Sequence, residues 1–230
     1  MKFYVAACAV MLAASSLAQT SEVEITAEPS HHTVLKNDFV RVFHVEIPPH
    51  AATLLHRHRH DYFIVALADS EVNSEIVGKP AHTGSMKTGQ TAFAEGGFAH
   101  VVRNLADTPF PNIDVEVLHP KTSYQWDQER GVNVLEGGTQ EILFVKDGVR
   151  ASETDLQPHA MIPKHKHLVP HLVIAVSDID LESAVDGRPV KHIRLKAGEV
   201  AWVQAGLTHT VMNAGHQNAR YVALEFPPIK

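Results

Sequence analysis

Short apolar runs separated by turn residues recur along most of the chain, and they predict β-strands rather than helices. Val40–Ile47 ends at two prolines, and Tyr62–Leu67 and His171–Val176 are rich in β-branched residues and stop shortly before an aspartate. Ile179–Val185 alternates up to Asp186-Gly187, a typical hairpin turn. Further strands are predicted at Val200–Val203 and Arg220–Phe226. Many short, regularly spaced strands predict an all-β sandwich or jelly-roll barrel.

The segment 1–18 departs from this pattern. Met1-Lys2 precede an apolar run from Phe3 to Ala14, which is too short to span a bilayer. The small residues Ser16 and Ala18 then complete the pattern of a secretory signal peptide, cut between Ala18 and Gln19. We therefore expect a periplasmic or secreted protein with no membrane span.

Composition narrows the chemistry of the mature chain. The one cysteine of the full sequence, Cys8, lies in the signal segment, so the mature chain has none. Neither a disulfide framework nor a thiolate metal ligand is therefore expected. The net charge of −6 and the absence of Lys/Arg blocks argue against nucleic acid as a partner. The 17 histidines are the distinctive feature of the composition.

The chain repeats itself in a single register. With Val40 placed on Val149, the stretch Val40–Val117 aligns with 149–226 without a gap, and His56-Arg57-His58 falls on His165-Lys166-His167. Further matched pairs are Gly89 with Gly198, Gly97 with Gly206, His100 with His209, Asn104 with Asn213 and Glu116 with Glu225. We therefore infer that the chain consists of two copies of one domain. We predict an N-terminal domain at 19–120, a polar connection at 121–138 and a C-terminal domain at 139–230.

Histidines of the second copy predict a metal site. His165, His167 and His171 have one parity, so on a single strand their imidazoles would converge on one face. His209 would join them from a neighbouring strand of a small barrel. Imidazole suits divalent Fe, Ni, Zn, Cu, Mn or Co, and the lack of a carboxylate disfavours Ca and Mg.

The first copy predicts a related but altered site. It keeps His56, His58 and His100, but Tyr62 stands where the second copy has His171. His60 has the same parity and is an alternative ligand, whereas Tyr62 is favoured as a wall of the pocket over a ligand.

These positions resemble the two motifs of the cupin superfamily in a two-domain bicupin. The first motif, Gly, five residues, His-x-His, three or four residues, Glu, six residues, Gly, is matched by His159, His165, His167, His171 and Asp178. The second motif, Gly, five residues, Pro-x-Gly, two residues, His, three residues, Asn, is matched by Gly198, Gln204, Gly206, His209 and Asn213. The first copy follows in register with His50, His56, His58, Tyr62, Asp69, Gly89, Glu95, Gly97, His100 and Asn104.

The resemblance implies two jelly-roll β-barrels with metal sites, but the usual metal-binding Glu is replaced by His171 and Tyr62. One hypothesis is an enzyme of oxygenase, isomerase or lyase type, in which an open metal position binds a small organic substrate. The alternative is a non-catalytic periplasmic protein that binds a metal or a small metabolite. A third is a metal that serves only the stability of the barrel. A homodimer is left open.

Other residues are assigned more ordinary roles. Glu116 and Glu225 would face either the cavity, as general bases, or solvent, and solvent is favoured. Phe93 and Trp202 are expected in the core rather than as stacking platforms. His50 and His159 occupy a turn position, and Gly97 and Gly206 would supply the turns that aim His100 and His209. Histidines without a repeat partner are expected at the surface: His31, His32, His44, His119, His192 and His216.

Overall fold

A computed structural model describes residues 21–118, here the first half, and residues 121–228, here the second half. The signal peptide predicted at residues 1–18 and His119 lie outside the described residues. Regular structure in the described chain is almost entirely β, with a single short 3₁₀ helix at Ile25–Ala27.

The strands of the first half are β1 (Val23–Glu24), β2 (His31–Lys36), β3 (Val40–Ile47), β4 (His56–His58), β5 (Tyr62–Ala66), β6 (Ser70–Ile76), β7 (His82–Met86), β8 (Thr91–Ala94), β9 (Phe98–Asn104) and β10 (Phe110–Val117). Those of the second half are β11 (Gly131–Leu135), β12 (Gly138–Lys146), β13 (Val149–Leu156), β14 (Met161–Lys166), β15 (His171–Ala175), β16 (Ile179–Ala184), β17 (Lys191–Leu195), β18 (Val200–Val203), β19 (Thr208–Asn213) and β20 (Ala219–Glu225).

Each half contains two sheets that face each other. The first half has the orders β1-β4-β9-β6-β7 and β2-β3-β10-β5-β8. The second half has β14-β19-β16-β17 and β11-β12-β13-β20-β15-β18. Strands β2 to β10 therefore recur as β12 to β20 with the same neighbours, which agrees with the repeat in the sequence.

The largest apolar cluster lies between the halves. On β10, Ile113, Val115 and Val117 point outward from the first pair of sheets, and they share one cluster with Leu224 and Phe226 from the end of the second half. The sheet that contains β10 and the sheet that contains β20 thus bury their outer faces against each other, which removes apolar area from water. Because this core draws on both halves, the domain boundaries at 19–120 and 139–230 remain a prediction from the repeat.

The predicted connection at 121–138 is partly ordered into the sheet. Residues 121–130 contain no helix or strand, but β11 pairs with β12 at the edge of the six-stranded sheet. Trp126 lies against the guanidinium of Arg150, 4.2 Å from ring centroid to Cζ, and donates a hydrogen bond to the Gly148 carbonyl. This segment therefore packs on the second half.

The turn positions behave as the sequence indicates. His50 and His159 adopt left-handed backbone with φ of 57° and 65°, in the place where the resembling motif carries glycine. Gly97 and Gly206 have φ of 88° and 89°, and their amides donate to the carbonyls of His58 and His167. In the first half this hydrogen bond joins the turn before β9 to the end of β4. In the second half it joins the turn before β19 to the residue that follows β14.

The prediction that His165, His167 and His171 share one strand is wrong. Strand β14 ends at Lys166, and β15 begins at His171 in the other sheet of the second half. The intervening residues, which end at Pro170, carry the chain from one sheet to the other. Across the described residues, no helix is long and apolar enough to cross a membrane.

Candidate metal centres

Three histidines of the first half converge across two adjacent strands. His56 on β4 stands directly opposite His100 on β9, and His58 follows two residues later on the same face. The Nε2 atom of His56 lies 3.2 Å from Nε2 of His58 and 3.0 Å from Nε2 of His100. All three side chains are buried.

Local hydrogen bonds orient these rings. His56 Nδ1 lies 2.9 Å from the Leu54 carbonyl oxygen and donates to it, which leaves the lone pair on Nε2. His100 Nδ1 lies 3.3 Å from Ser74 Oγ. Nδ1 of His58 is buried without a hydrogen-bond partner in the described structure.

Burial keeps the first triad neutral. It lowers the pKa of His56 and, together with the neighbouring imidazoles, that of His58 as well. Burial and the nearby His56 and His31 lower the pKa of His100 to about 3. Neutral imidazoles are the form that binds a metal.

The second half repeats the arrangement with His165, His167 and His209. His167 Nε2 lies 3.0 Å from His165 Nε2 and 3.1 Å from His209 Nε2. His165 Nδ1 donates to the Pro163 carbonyl at 2.8 Å, and His209 Nδ1 lies 2.6 Å from Ser183 Oγ. Burial first, then neighbouring imidazoles, lower the pKa of His167 to about 3 and that of His209 to about 4.

Both donor sets fit a divalent transition metal. The Nε2 atoms of neighbouring histidines lie 3.0 to 3.2 Å apart, which is within the reach of nitrogens that would each bind one ion at about 2.1 Å. Imidazole nitrogens are suited to divalent transition metals. The close ligand group of the first half consists of His31, His56 and His58, and His100 approaches it through the 3.0 Å distance between its Nε2 atom and that of His56.

Tyr62 and His171 take the same place in the two halves. The Tyr62 ring stacks on His58 with centroids 3.9 Å apart, and His171 stacks on His167 at 4.1 Å. The close group of the second half consists of His165, His167 and His209 and does not include His171. Ligation by His171 or Tyr62 stays a prediction from the sequence. His60 lies partly exposed on the bend after β4 and is not in the close group either.

Glu116 and Glu225 are held by arginines. Glu116 is fully buried and accepts from Arg41 Nε at 2.8 Å and Nη2 at 2.5 Å, and Glu225 accepts from Arg150 Nε at 2.7 Å. The expectation of a solvated strand face is wrong for Glu116, because its strand faces the opposing sheet and the paired arginine offsets the buried charge. Burial raises the pKa of Glu116 against the opposing effect of Arg41.

Phe93 and Trp202 lie away from both triads. Each packs on the apolar cluster between the halves, Phe93 at 5.2 Å from Phe63 and Trp202 at 5.4 Å from Phe226 between ring centroids. They are therefore core residues of the interface between the sheets that contain β10 and β20.

The expectation of a surface position for His31 is wrong. The ring is buried, 4.8 Å from the His56 ring, with Nδ1 2.6 Å from Glu28 Oε2 and Nε2 3.6 Å from Asp114 Oδ2. Burial alone would lower its pKa, but Asp114 and Glu28 raise it to about 9. No sequence signal indicated this, since the repeat places Gln140 at the matching position.

A cavity of about 130 Å³ opens beside the first triad, between the two sheets. The triad, Tyr62 and Asp114 line it together with apolar side chains of both sheets. Val72, Met86 and Val102 of this lining are partly exposed.

No protein-family model and no curated protein sequence matches the chain. Solved structures of Bacillus subtilis oxalate decarboxylase are similar in fold. A mutant of that enzyme gives a TM-score of 0.64 at 13% identity, over 85% of this chain and 71% of the other. The enzyme at pH 4.6 gives 0.62 at 14%, over 86% and 74%. A structure from work on the Mn(II) centres of that enzyme gives 0.62 at 12%, over 86% and 75%.

At these identities the likeness shows the fold alone. The chain has the all-β fold of these structures, and each half brings together histidines that could hold a divalent metal. The identity of the metal is not fixed by the imidazole donor set.

Proposed function

We propose that this protein is an exported, two-domain cupin that binds a divalent transition metal through His56, His58 and His100 and a second through His165, His167 and His209. The convergence of three Nε2 atoms beside a cavity in the first half carries this proposal. Four further features support it: the histidine spacing, the neutral imidazoles, the repeat and the cupin fold.

In the first half we propose chemistry on a small organic substrate, of oxygenase, isomerase or lyase type. A bound metal would supply Lewis acidity to a substrate oxygen. The chain itself positions the substrate between two sheets, and the apolar walls exclude water, which strengthens polar contacts inside the cavity. Tyr62 keeps its phenolic proton, because burial and the carboxylates of Asp114 and Glu116 raise its pKa well above the usual value. The phenol is thus a donor rather than a base.

For the second half, one observation favours metal binding without catalysis over chemistry on a substrate. His165 and His167 are only partly buried, whereas their counterparts His56 and His58 are almost completely buried. A more exposed triad protects a bound substrate less from water.

Metal analysis of His58→Ala, His167→Ala and the double variant tests the proposal. The protein is folded in its native compartment, purified without chelator and measured by elemental analysis. Each single variant should lose about one equivalent of the native metal content, and the double variant nearly all of it. Full metal content in the double variant would refute both sites.

Export rests on the segment 1–18 of the sequence. The mass of the mature protein recovered from the periplasm or medium should correspond to a chain that begins at Gln19. Retention of this segment in the recovered protein would contradict this part of the proposal.

A further inference from the structure

The Asp114 carboxylate lines the cavity of the first half. Asp114 lies on β10, its side chain is 8% exposed, and its buried Oδ1 atom has no hydrogen-bond partner within the described structure. A buried carboxylate that lacks donors is costly, and natural structures pair such groups with protein, water or ligand. A donor in the cavity would approach the part of this carboxylate that lines it.

Neighbouring groups hold the other end of this carboxylate. His31 Nε2 faces Asp114 Oδ2 at 3.6 Å, while His31 Nδ1 donates to Glu28 Oε2 at 2.6 Å. Glu28 is in turn fixed by the amides of Ser30 at 2.8 Å and Leu54 at 3.1 Å. The row Glu28–His31–Asp114 thus holds the carboxylate from the Oδ2 side and supplies no donor to Oδ1.

The rest of the cavity is mainly apolar. Its apolar lining consists of Val45, Ile47, Ile64, Val72, Met86, Val102 and Phe110. The volume of about 130 Å³ is close to that of a cavity of roughly 150 Å³ that accommodates benzene. Such walls favour a compact hydrocarbon body over a small dianion.

The acceptor and the histidine triad belong to opposite sheets. His56 and His100 lie on β4 and β9, whereas Asp114 lies on β10 of the facing sheet. A molecule in the cavity therefore has Asp114 on one side and the triad on the other.

The second half does not repeat this acceptor. Gln140, Tyr221 and Ala223 stand at the positions that match His31, Asn112 and Asp114 in the repeat. The Tyr221 ring is buried there, where the first half has the smaller Asn112. The ligand-binding chemistry is thus a property of the first half.

We propose that this cavity binds a small, mainly apolar molecule with one hydroxyl or amine group, whose O–H or N–H donates to the Asp114 carboxylate. The inference names the substrate class for the function proposed above and rests on it for the role of the bound molecule. Binding itself needs only Asp114 and the apolar walls, so it is tested separately from the metal.

Methyl NMR of the full chain tests this inference. Met86 lines the cavity, and Met161 and Met212 in the second half serve as internal references. With methionine methyls labelled and the metal removed, phenol should shift the Met86 resonance, assigned through Met86→Leu, and leave the references unmoved. Toluene, which lacks the donor, should bind roughly tenfold or more weakly, although it is the more apolar molecule. Aniline in a third titration distinguishes an N–H from an O–H donor.

Asp114 variants complete the test. Asp114→Ala should bind phenol no better than toluene, and Ala223 shows that alanine is accepted at the matching strand position. Asp114→Asn, which keeps the shape but not the charge, should give intermediate affinity and covers a folding failure of the alanine variant. Asp107→Asn removes an exposed carboxylate of the same half and should bind phenol like the parent.

The outcomes separate this inference from the proposed function. Binding of phenol that depends on Asp114 supports the inference even in a protein that takes up no metal. Full metal content, together with a Met86 resonance that phenol does not shift or that phenol shifts equally in Asp114→Ala, would overturn the inference and leave the metal sites standing.

Discussion

The Tyr62 ring lies flat on the His58 imidazole, with centroids 3.9 Å apart and planes inclined by 10°. His171 lies on His167 at 4.1 Å and 26° in the second half. In both halves the side chain four residues after the middle histidine therefore packs on its ring. This contact is suited to fix the imidazole plane, since Nδ1 of His58 has no hydrogen bond in the described structure to do so.

Shortening Tyr62 should loosen the first metal site. We expect Tyr62→Ala to weaken metal binding there roughly 10- to 100-fold, the usual effect of removing a group that orients a ligand. Tyr62→Phe keeps the stacked ring and should stay close to the parent. Competition with a chelator, in a His167→Ala background that isolates the first site, measures both affinities. Equal losses in the two variants would instead identify the phenol oxygen as a ligand.

His171 can be exchanged for the residue that the first half uses. If His171 acts by stacking, His171→Tyr should keep the metal content of the second site, while His171→Ala should lower its affinity. Metal titration in a His58→Ala background gives the result. Loss of the metal in the tyrosine variant would support the prediction from sequence that His171 is itself a ligand.

The serine next to the last histidine of each triad should affect metal affinity more strongly in the second half than in the first. Ser183 Oγ lies 2.6 Å from His209 Nδ1, but Ser74 Oγ lies 3.3 Å from His100 Nδ1. Because the shorter hydrogen bond orients its ring more firmly, Ser183→Ala should lower metal affinity by roughly 10-fold or more, and Ser74→Ala by less. The two variants serve as matched controls, and an equal effect would contradict this ranking.

Acid should destabilise the metal-free protein through its triads. Burial lowers the pKa of His100 and His167 to about 3 and of His209 to about 4, against an ordinary value near 6.5. Between these values the unfolded state binds more protons, so the free energy of unfolding falls as the pH drops from about 6.5 towards 4. Urea unfolding in the presence of a chelator measures this slope. His100→Gln with His167→Gln should flatten it, and an unchanged slope would argue against neutral triads.

His31 should produce the opposite slope on the alkaline side. Its pKa is about 9 in the folded protein, so its contribution to stability is fully present below about 6.5 and is lost as the pH rises through 9. Within this window the free energy of unfolding should fall by up to about 1.4 kcal/mol per pH unit. His31→Gln should remove that part of the slope, as shown by unfolding curves at pH 6.5, 8 and 9. Parallel pH profiles for variant and parent would contradict a protonated His31.

Local patterns were sufficient for much of the fold. The predicted strands at Val40–Ile47 and Val200–Val203 match β3 and β18 residue for residue, because apolar runs closed by turn residues leave little choice of conformation. The left-handed backbone at His50 and His159 follows from their place in the repeated turn. The prediction that His171 shares a strand with His165 was wrong, because the chain leaves one sheet after Lys166 and enters the other. The alternation of side chains between two faces holds only within one strand.

The sequence by itself determined the register of the repeat and many of the strands, and it predicted a histidine site in each half, since these depend on spacing along the chain. The tertiary structure decided that His171 lies on a different strand from His165. Only the tertiary structure decided that His31, Glu28 and Asp114 form a buried row beside the first triad. Glu28 and His31 are only three residues apart, but Asp114 lies on β10, which β3 separates from β2 in the same sheet, and the first triad lies on the facing sheet. The row therefore depends on strand order and on how the sheets pack, and no local periodicity encodes it.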